Sequence, residues 1–369
     1  MFRSALRVVF SLIALTVAVP AVHAESKSAA KTAAKKNVHK KAAKSKPDTA
    51  HHAHAKHQHV SHKAHEKHVG KTVSAHERHK VTVQHVAYAP AAPVAPPVMT
   101  AGDLAGLNLT RDPLALKSNV AFVIDQNNSQ VLFEKNAGVP LPIASLTKLM
   151  TATIVVEAHQ DMDEVLEVTA DDIDRERNSA SRLHVGSRLK RSDMLHIALM
   201  SSENRAASAL GRNYPGGLPA FVAAMNAKAR ALGMANAHYV DSTGLSSQNV
   251  ASARDLSKLV VAAYRHPIIR EYSTDTKYTV NTGKQMLQYI NSNRLVMNSN
   301  WDIGLQKTGY ITEAGRCLLM QARIEGRPVV MVFLDSKGKD SRLADAGRIR
   351  KWLEVTKPQA LTQAATHHS

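Results

Sequence analysis

The sequence has very little that would cross-link the chain or hold it in a membrane. Cys317 is the only cysteine among 369 residues, so no internal disulfide can form. Its place in an apolar, strand-like run predicts a buried thiol and argues against a catalytic cysteine. The apolar run at residues 8–19 has 12 residues, and no second run of that length follows. A helix needs about 20 residues to cross a bilayer, so a membrane-spanning chain is disfavoured.

The first 24 residues are typical of a secretory signal peptide. Arg3 and Arg7 precede the apolar run, and Val22-His23-Ala24 supplies a small-residue cleavage site before Glu25. The alternative is a retained membrane anchor, for which the run is short. We therefore predict that residues 1–24 are removed on export.

Acidic residues are scarce in the segment that follows. Residues 25–85 hold 12 of the 20 histidines and 14 lysines and arginines against four acidic residues, a formal charge of +10 out of +18 for the chain. The apolar residues there are almost all Ala and Val, which are too small and scattered to build a core. We predict disorder for residues 25–100, with the Pro-rich run at residues 89–97 as a stiff spacer.

Three functions of this basic tail stay open: a solvated linker, attachment to an anionic envelope surface, and metal binding. Attachment would rest on the positive charge. The histidine spacings follow no fixed ligand pattern, which weakens the metal hypothesis. Nucleic acid is a poor partner for an exported chain whose basic residues have no interleaved aromatics.

Three short strings carry the strongest functional signal. They are Ser145-Leu146-Thr147-Lys148, Ser202-Glu203-Asn204 and Lys307-Thr308-Gly309, and their first residues are spaced 57 and 105 residues apart. Ser-x-x-Lys occurs four times in the chain and Ser-x-Asn twice, so a single string means little. The first string opens the apolar stretch at residues 146–156, which is typical of a buried helix, and Pro142 marks its start.

The first string has the residues that nucleophilic catalysis needs. Ser145 and Lys148 stand at positions i and i+3 of the predicted helix, so they share one face. A serine hydroxyl needs a base, and burial can lower the pKa of a lysine enough to make it one. A serine at a helix N-terminus also lies beside free backbone N–H groups that can stabilise an oxyanion.

The ordered trio resembles that of penicillin-binding proteins and serine β-lactamases. The resemblance spans residues 107–353 and is closest to small penicillin-binding proteins that act as D-alanyl-D-alanine endopeptidases. It implies an α/β (α+β) fold of the β-lactamase/transpeptidase type, in which an antiparallel sheet is flanked by helices. It also implies a catalytic domain at residues 101–355 with an inserted all-α subdomain at about 165–290, before a polar tail at 356–369.

The resemblance also implies roles for the second and third strings. Ser202 would relay a proton to the leaving amine, and Asn204 would orient Lys148 and the substrate backbone. The third string, Lys307, Thr308 and Gly309, would bind a substrate carboxylate from a strand that lines the cleft. The implied mechanism needs no metal and no cofactor.

Two further segments receive structural interpretations. We expect Glu203 to face away from the cleft and to carry no chemistry. We interpret Asp241-Ser242-Thr243-Gly244-Leu245, which has a counterpart in the family, as a turn that packs beneath the cleft.

Residue patterns predict the elements independently of the resemblance. Strand–turn–strand patterns near both ends of the domain predict two hairpins, at residues 119–125 with 131–133 and at 316–324 with 328–334. Helical spacing predicts helices at residues 193–200, 205–212, 218–232, 253–264 and 340–353. Strands at both ends that enclose helices predict one antiparallel sheet that closes when the ends meet.

Three functions remain in competition. A peptidoglycan DD-peptidase would be periplasmic, soluble or peripherally associated, and would take β-lactam antibiotics as covalent inhibitors. A class A β-lactamase would need a deacylating glutamate, yet Glu271 is the only glutamate between Asn204 and Lys307 and has no Glu-x-x-x-Asn pattern. The third function is a non-catalytic envelope-binding protein.

Among DD-peptidases, the sequence favours an endopeptidase that cuts D-alanyl-diaminopimelate cross-links. Only 60 residues follow Gly309, too few for the second domain and amphipathic anchor of the membrane-bound carboxypeptidases. A D-alanyl-D-alanine carboxypeptidase is the alternative.

Overall fold

The computed structural model describes the backbone of residues 98–366 and the side chains of residues 98–356. The strands are β1 (Ser118–Asp125), β2 (Val131–Lys135), β3 (Leu141–Pro142), β4 (Val165–Glu167), β5 (Arg188–Lys190), β6 (Val250–Ala251), β7 (Lys277–Asn281), β8 (Met286–Ile290), β9 (Asp302–Ile311), β10 (Gly315–Ile324) and β11 (Arg327–Ser336). The helices are α1 (Ala101–Leu104), α2 (Thr147–Glu157), α3 (Arg191–Met200), α4 (Asn204–Arg212), α5 (Gly217–Ala231), α6 (Ala253–Ala263), α7 (Pro267–Thr274) and α8 (Ser341–Thr366).

The main sheet joins strands from the two ends of the described chain. Its five strands lie in the order β2-β1-β11-β10-β9, and every neighbouring pair is antiparallel. Val120 of β1 lies opposite Leu334 of β11. This pairing confirms the two predicted hairpins and the closure of the sheet by the two ends of the domain. The hairpins could be predicted because their apolar strands are bounded by turn residues.

Both faces of the sheet are covered. Every residue of β1 is buried, and because strand side chains alternate, it supplies both faces. Phe122 joins a core with the helices α2 and α6, whereas Val123 joins a second core beneath α8 with Ile349. The sheet is therefore a central layer between the inserted helices and the last helix.

The segment between β2 and β9 is mainly helical, as predicted, with short strands in addition. The strand pairs β4–β5 and β7–β8 each form a two-stranded sheet, so the insertion contains more than helices. The last helix, α8, is also longer than expected: it was predicted to end near Leu353, and it continues to Thr366.

The start of the buried helix differs from the prediction. Pro142 lies in β3, opposite Val250, and does not begin the helix. A 3-10 turn, Ala144–Leu146, precedes α2. Residues Thr147 to Val155 of α2 are all buried, which confirms the predicted apolar helix.

Two sequence predictions lie outside the described residues: the signal peptide at residues 1–24 and nearly all of the tail at 25–100. Within residues 98–366, none of the helices combines the length and the apolar character that a membrane crossing requires.

Candidate active site

Ser145 lies in the tight turn that precedes α2. Ala144, directly before it, has a φ of 49°, which is unusual for a residue other than glycine and marks a strained turn. Ser145 Oγ accepts a hydrogen bond of 2.9 Å from Lys148 Nζ. The predicted i, i+3 pair is therefore in direct contact.

Lys148 projects from the first turn of α2 into a buried polar cluster. The side chain is 1% exposed. Besides Ser145, its Nζ donates to Asn204 Oδ1 at 2.8 Å and to the backbone oxygen of Thr243 at 2.6 Å. These three acceptors fix the amine against the serine.

Burial lowers the pKa of Lys148 to about 7. Desolvation penalises the charged amine and is the largest cause, while the negative charges of Asp241 and Glu203 favour the charged form and oppose it. An amine with this pKa is partly neutral near pH 7 and can accept a proton from a hydroxyl.

The second string bridges two lysines. Ser202 follows α3 and has a φ of 66°, in the left-handed region, and its Oγ accepts a hydrogen bond of 2.8 Å from Lys307 Nζ. Asn204 begins α4, accepts from Lys148 and donates through Nδ2 to Ser179 Oγ at 2.9 Å. This junction between helices therefore brings the first and third strings together.

Lys307 lies on β9 and is fully buried. Besides Ser202, its Nζ donates to the backbone oxygen of Thr308 at 2.7 Å. Burial lowers the pKa of Lys307 well below its usual value, and the charges of Lys148 and Arg342 lower this pKa further. A carboxylate arriving beside Nζ would favour the charged amine and offset this shift.

The rest of the third string shapes the strand beside Ser145. Thr308 Oγ1 lies 2.7 Å from Ser292 Oγ. A Cβ on Gly309 would lie 3.1 Å from both the backbone oxygen of Ile143 and the backbone nitrogen of Ser145. Glycine therefore allows β9 to approach the serine turn closely.

The turn that begins at Asp241 does more than pack beneath the cleft. Asp241 Oδ1 accepts from the backbone N–H groups of Thr243 and Gly244 at 2.5 and 2.6 Å, which directs the Thr243 carbonyl to Lys148. Gly244 has a φ of 79°, and a Cβ there would lie 1.9 Å from the backbone oxygen of Ala144. The sequence signalled the Asx-type turn but not its contact with the lysine.

Glu203, expected to face away, is 8% exposed. Its carboxylate accepts hydrogen bonds from Ser181 Oγ and Tyr289. The sequence reasoning missed this buried network, since nothing in the pattern placed residues 181 and 289 beside the second string.

The two other Ser-x-x-Lys strings within residues 98–356 do not form comparable pairs. Ser187 is buried, and Lys190 pairs with Asp163 at 2.8 Å. Ser336 is buried at the end of β11. The string that starts at Ser28 lies outside the described residues. Within the described part of the chain, no group of three or more His, Cys, Asp or Glu side chains could hold a metal ion.

Comparison with known proteins adds independent findings. The family model Peptidase S11, described as D-alanyl-D-alanine carboxypeptidase, matches residues 108–338. The chain is 48% identical over 263 residues to a D-alanyl-D-alanine endopeptidase of Pseudomonas aeruginosa, a match that covers 71% of this chain and 84% of that protein. It is 40% identical over 288 residues to the D-alanyl-D-alanine endopeptidase of Escherichia coli, with 78% and 92% covered.

A solved structure shows the same fold. The Streptomyces K15 DD-transpeptidase superposes with a TM-score of 0.61 at 24% identity, covering 66% of this chain and 98% of that one. At this identity the likeness concerns the fold alone, and it agrees with the predicted antiparallel sheet flanked by helices.

Proposed function

Since the chain belongs to the Peptidase S11 family of D-alanyl-D-alanine carboxypeptidases, we propose that it is a penicillin-binding serine DD-peptidase that hydrolyses D-alanyl bonds in peptidoglycan. The observation that carries the proposal is the 2.9 Å contact between Ser145 Oγ and Lys148 Nζ, made by a lysine with a pKa of about 7. It places a base of suitable strength directly on the nucleophile.

Acylation follows from this contact. Neutral Lys148 takes the proton of Ser145 Oγ while Oγ bonds to the carbonyl carbon of the D-alanyl bond. The backbone N–H of Ser145, which lies against Gly309, is suited to stabilise the oxyanion. The C–N bond then breaks, and the amine leaves with a proton.

The leaving amine needs that proton delivered across the cleft. Ser202 Oγ contacts Lys307 Nζ, and Asn204 contacts Lys148, so polar groups extend from the base to the third string. We assign Ser202 to the relay and Asn204 to the orientation of Lys148. Water then attacks the ester, which releases the peptide as a carboxylic acid and restores Ser145.

Lys307, Thr308 and Gly309 are proposed to bind the substrate. An ammonium and a hydroxyl on one strand match a peptide carboxylate or the carboxylate of penicillin. Peptidoglycan peptides are therefore the proposed substrates, and β-lactam antibiotics are the proposed covalent inhibitors.

Removing the Lys307 amine tests this assignment. Lys307→Ala lowers kcat/KM for a substrate that ends in a carboxylate about tenfold to a hundredfold, because a charge-assisted hydrogen bond worth roughly 1.5–3 kcal/mol is lost. The rate of acylation by a fluorescent penicillin and the thermal midpoint are both measured. Lys284→Ala, at an exposed site, is the control and keeps the wild-type rate. An unaltered acylation rate in Lys307→Ala would show that Lys307 does not contact the substrate.

Within the family, we propose an endopeptidase that cuts D-alanyl-diaminopimelate cross-links, and the names of the relatives support the endopeptidase part of this proposal. The relatives at 48% and 40% identity carry the name endopeptidase and match over 84% and 92% of their length. The Bacillus subtilis carboxypeptidase DacF is 28% identical and matches over 64% of its length. A D-alanyl-D-alanine carboxypeptidase is the second candidate.

Digestion of purified muropeptides separates the two candidates. We expect cross-linked dimers to be converted to monomers faster than uncross-linked pentapeptides lose their terminal D-alanine. Both products are quantified by chromatography, with Ser145→Ala protein as the blank. Faster release of D-alanine from the monomer would assign the chain to the carboxypeptidases.

The basic tail, which lies outside the described residues apart from its last three, is proposed to tether the enzyme to an anionic wall or membrane surface. Histidine titrates near pKa ~6.5, so mild acid adds up to 12 positive charges to residues 25–85 and strengthens binding. Salt weakens it, because exposed charges are screened beyond about 10 Å at 0.1 M. Co-sedimentation with isolated sacculi from pH 5 to 8 measures both effects. Equal binding by full-length and tail-deleted protein would reduce the tail to a spacer.

A further inference from the structure

Glu203, the middle residue of the second string, is more buried than either of its neighbours. Its Oε1 accepts hydrogen bonds from Ser181 Oγ at 2.6 Å and from the backbone N–H of Arg205 at 3.3 Å, and Oε2 accepts one from the Tyr289 hydroxyl at 3.4 Å. Its own backbone N–H donates to the Ile197 oxygen at 3.2 Å. Backbone and side chain are therefore both fixed.

The two arginines nearest in sequence and space bind elsewhere. The Arg182 guanidinium stacks on the ring of Tyr289 at 4.0 Å, and Arg205 donates to the backbone oxygen of Leu183 at 2.6 Å. The carboxylate is thus stabilised by hydrogen-bond donors. Since a buried carboxylate is costly unless it is hydrogen-bonded, this network strongly favours one position of Glu203.

Glu203 lies between two residues that contact the buried lysines. Ser202 meets Lys307 and Asn204 meets Lys148. Ser202 does so with a left-handed backbone, a conformation that persists only when the surroundings enforce it. An anchor at the next residue supplies that enforcement.

We propose that Glu203 is a positioning residue for the DD-peptidase reaction. By anchoring the segment 202–204 to Ser181 and Tyr289, it holds Ser202 and Asn204 in register with the two lysines. This inference rests on the proposed function, and it assigns a role to the one position of the second string for which the family resemblance implied none.

The same carboxylate acts on the base through its charge. Glu203 and Asp241 are the negative groups that favour the charged form of Lys148, whereas burial opposes it. The positive groups around the carboxylate are Arg182, which is stacked on Tyr289, Arg205, whose guanidinium binds the Leu183 oxygen, and Lys148 itself. Removing the charge of Glu203 therefore shifts the pKa of Lys148 downward.

Two substitutions separate position from charge. Glu203→Gln keeps an oxygen for Ser181 and the Arg205 N–H but removes the charge, so the plateau rate of acylation by a fluorescent penicillin stays within about threefold while the pH midpoint moves down. Glu203→Ala removes the anchor as well, and its plateau rate falls about tenfold to a hundredfold, as expected for a misplaced catalytic group.

Two further variants test whether the effect on the acylation rate comes from the anchoring of Glu203. Ser181→Ala keeps the charge of Glu203 but removes its shortest hydrogen bond, so the plateau rate falls while the midpoint moves less than in Glu203→Gln. Glu271→Ala, at an exposed glutamate, leaves both readouts unchanged. Thermal unfolding establishes that each variant is folded, and if Glu203→Ala is not, Ser181→Ala and Glu203→Gln carry the test.

The failures are distinguishable. A wild-type plateau rate in folded Glu203→Ala, or in Ser181→Ala where the former does not fold, overturns the positioning role. An unmoved midpoint in Glu203→Gln overturns the effect of the Glu203 charge on Lys148. Wild-type protein that penicillin does not acylate at Ser145 overturns the proposed function instead.

Discussion

Ser145→Ala protein is not labelled by fluorescent penicillin, and its acylation rate falls on the order of 10⁶-fold or below detection. The substitution removes the atom that forms the covalent bond, and among residues 98–356 no other hydroxyl is hydrogen-bonded to Lys148. Lys148 keeps its bonds to Asn204 and Thr243, so the free energy of unfolding falls by only about 0.5–1.5 kcal/mol, the value of one hydrogen bond. In-gel fluorescence and thermal unfolding measure the two effects.

The chain contains its own control for this result. Ser187 opens another Ser-x-x-Lys string, but its lysine, Lys190, pairs with Asp163. Ser187→Ala is therefore labelled at the wild-type rate. Labelling that persists on Ser145→Ala, or that maps to Ser187, would contradict the assignment of the nucleophile.

Lys148→Met gives the second large effect, a loss of about 10²–10⁴-fold in the acylation rate. Methionine has nearly the shape of lysine but lacks the amine that acts as the general base. Lys148→Arg is equally impaired, since a guanidinium keeps its charge and cannot accept the serine proton. In wild-type protein the acylation rate rises with pH through a midpoint near the Lys148 pKa of about 7. Stopped-flow acylation from pH 5 to 9 measures this profile.

The same pKa has a signature in stability. Between pH 7 and about 10.5 the unfolded lysine binds a proton that the folded one has released, so Lys148 makes unfolding harder as the pH rises through this window. Lys148→Met loses this contribution, whereas Lys190→Met, at an exposed site, keeps it.

A wild-type acylation rate that does not vary with pH would exclude Lys148 as the base.

The predictable parts of the fold were those encoded over short stretches of chain. The apolar helix α2 and the hairpin strands β10 and β11 follow from periodicity and turn residues, whereas the strand that carries Lys307 was expected from the family resemblance. The contact between Ser145 and Lys148 was expected from their i, i+3 spacing, although Ser145 lies in the 3-10 turn that precedes α2 and not in the helix itself.

The missed features depend on residues distant in sequence. The backbone oxygen of Thr243 accepts a hydrogen bond from Lys148, 95 positions away, and the carboxylate of Glu203 accepts one from Tyr289, 86 positions away. The left-handed backbone of Ser202 has no local signature, because serine is not a residue that favours it. Pro142 was misread since proline suits the first turn of a helix and a short extended segment equally.

The pairing of β1 with β11 has a consequence for biogenesis. Ser118 meets Ser336, so β1, which has β2 as a local partner on one side, finds its second partner only after almost the whole domain has been made. Such long-range pairing slows folding, and until it is complete the other side of β1 is an unpaired apolar edge prone to aggregation. A nascent chain that stalls or is cut before β10 would therefore be a substrate for chaperones and proteases, and not a weakly active enzyme.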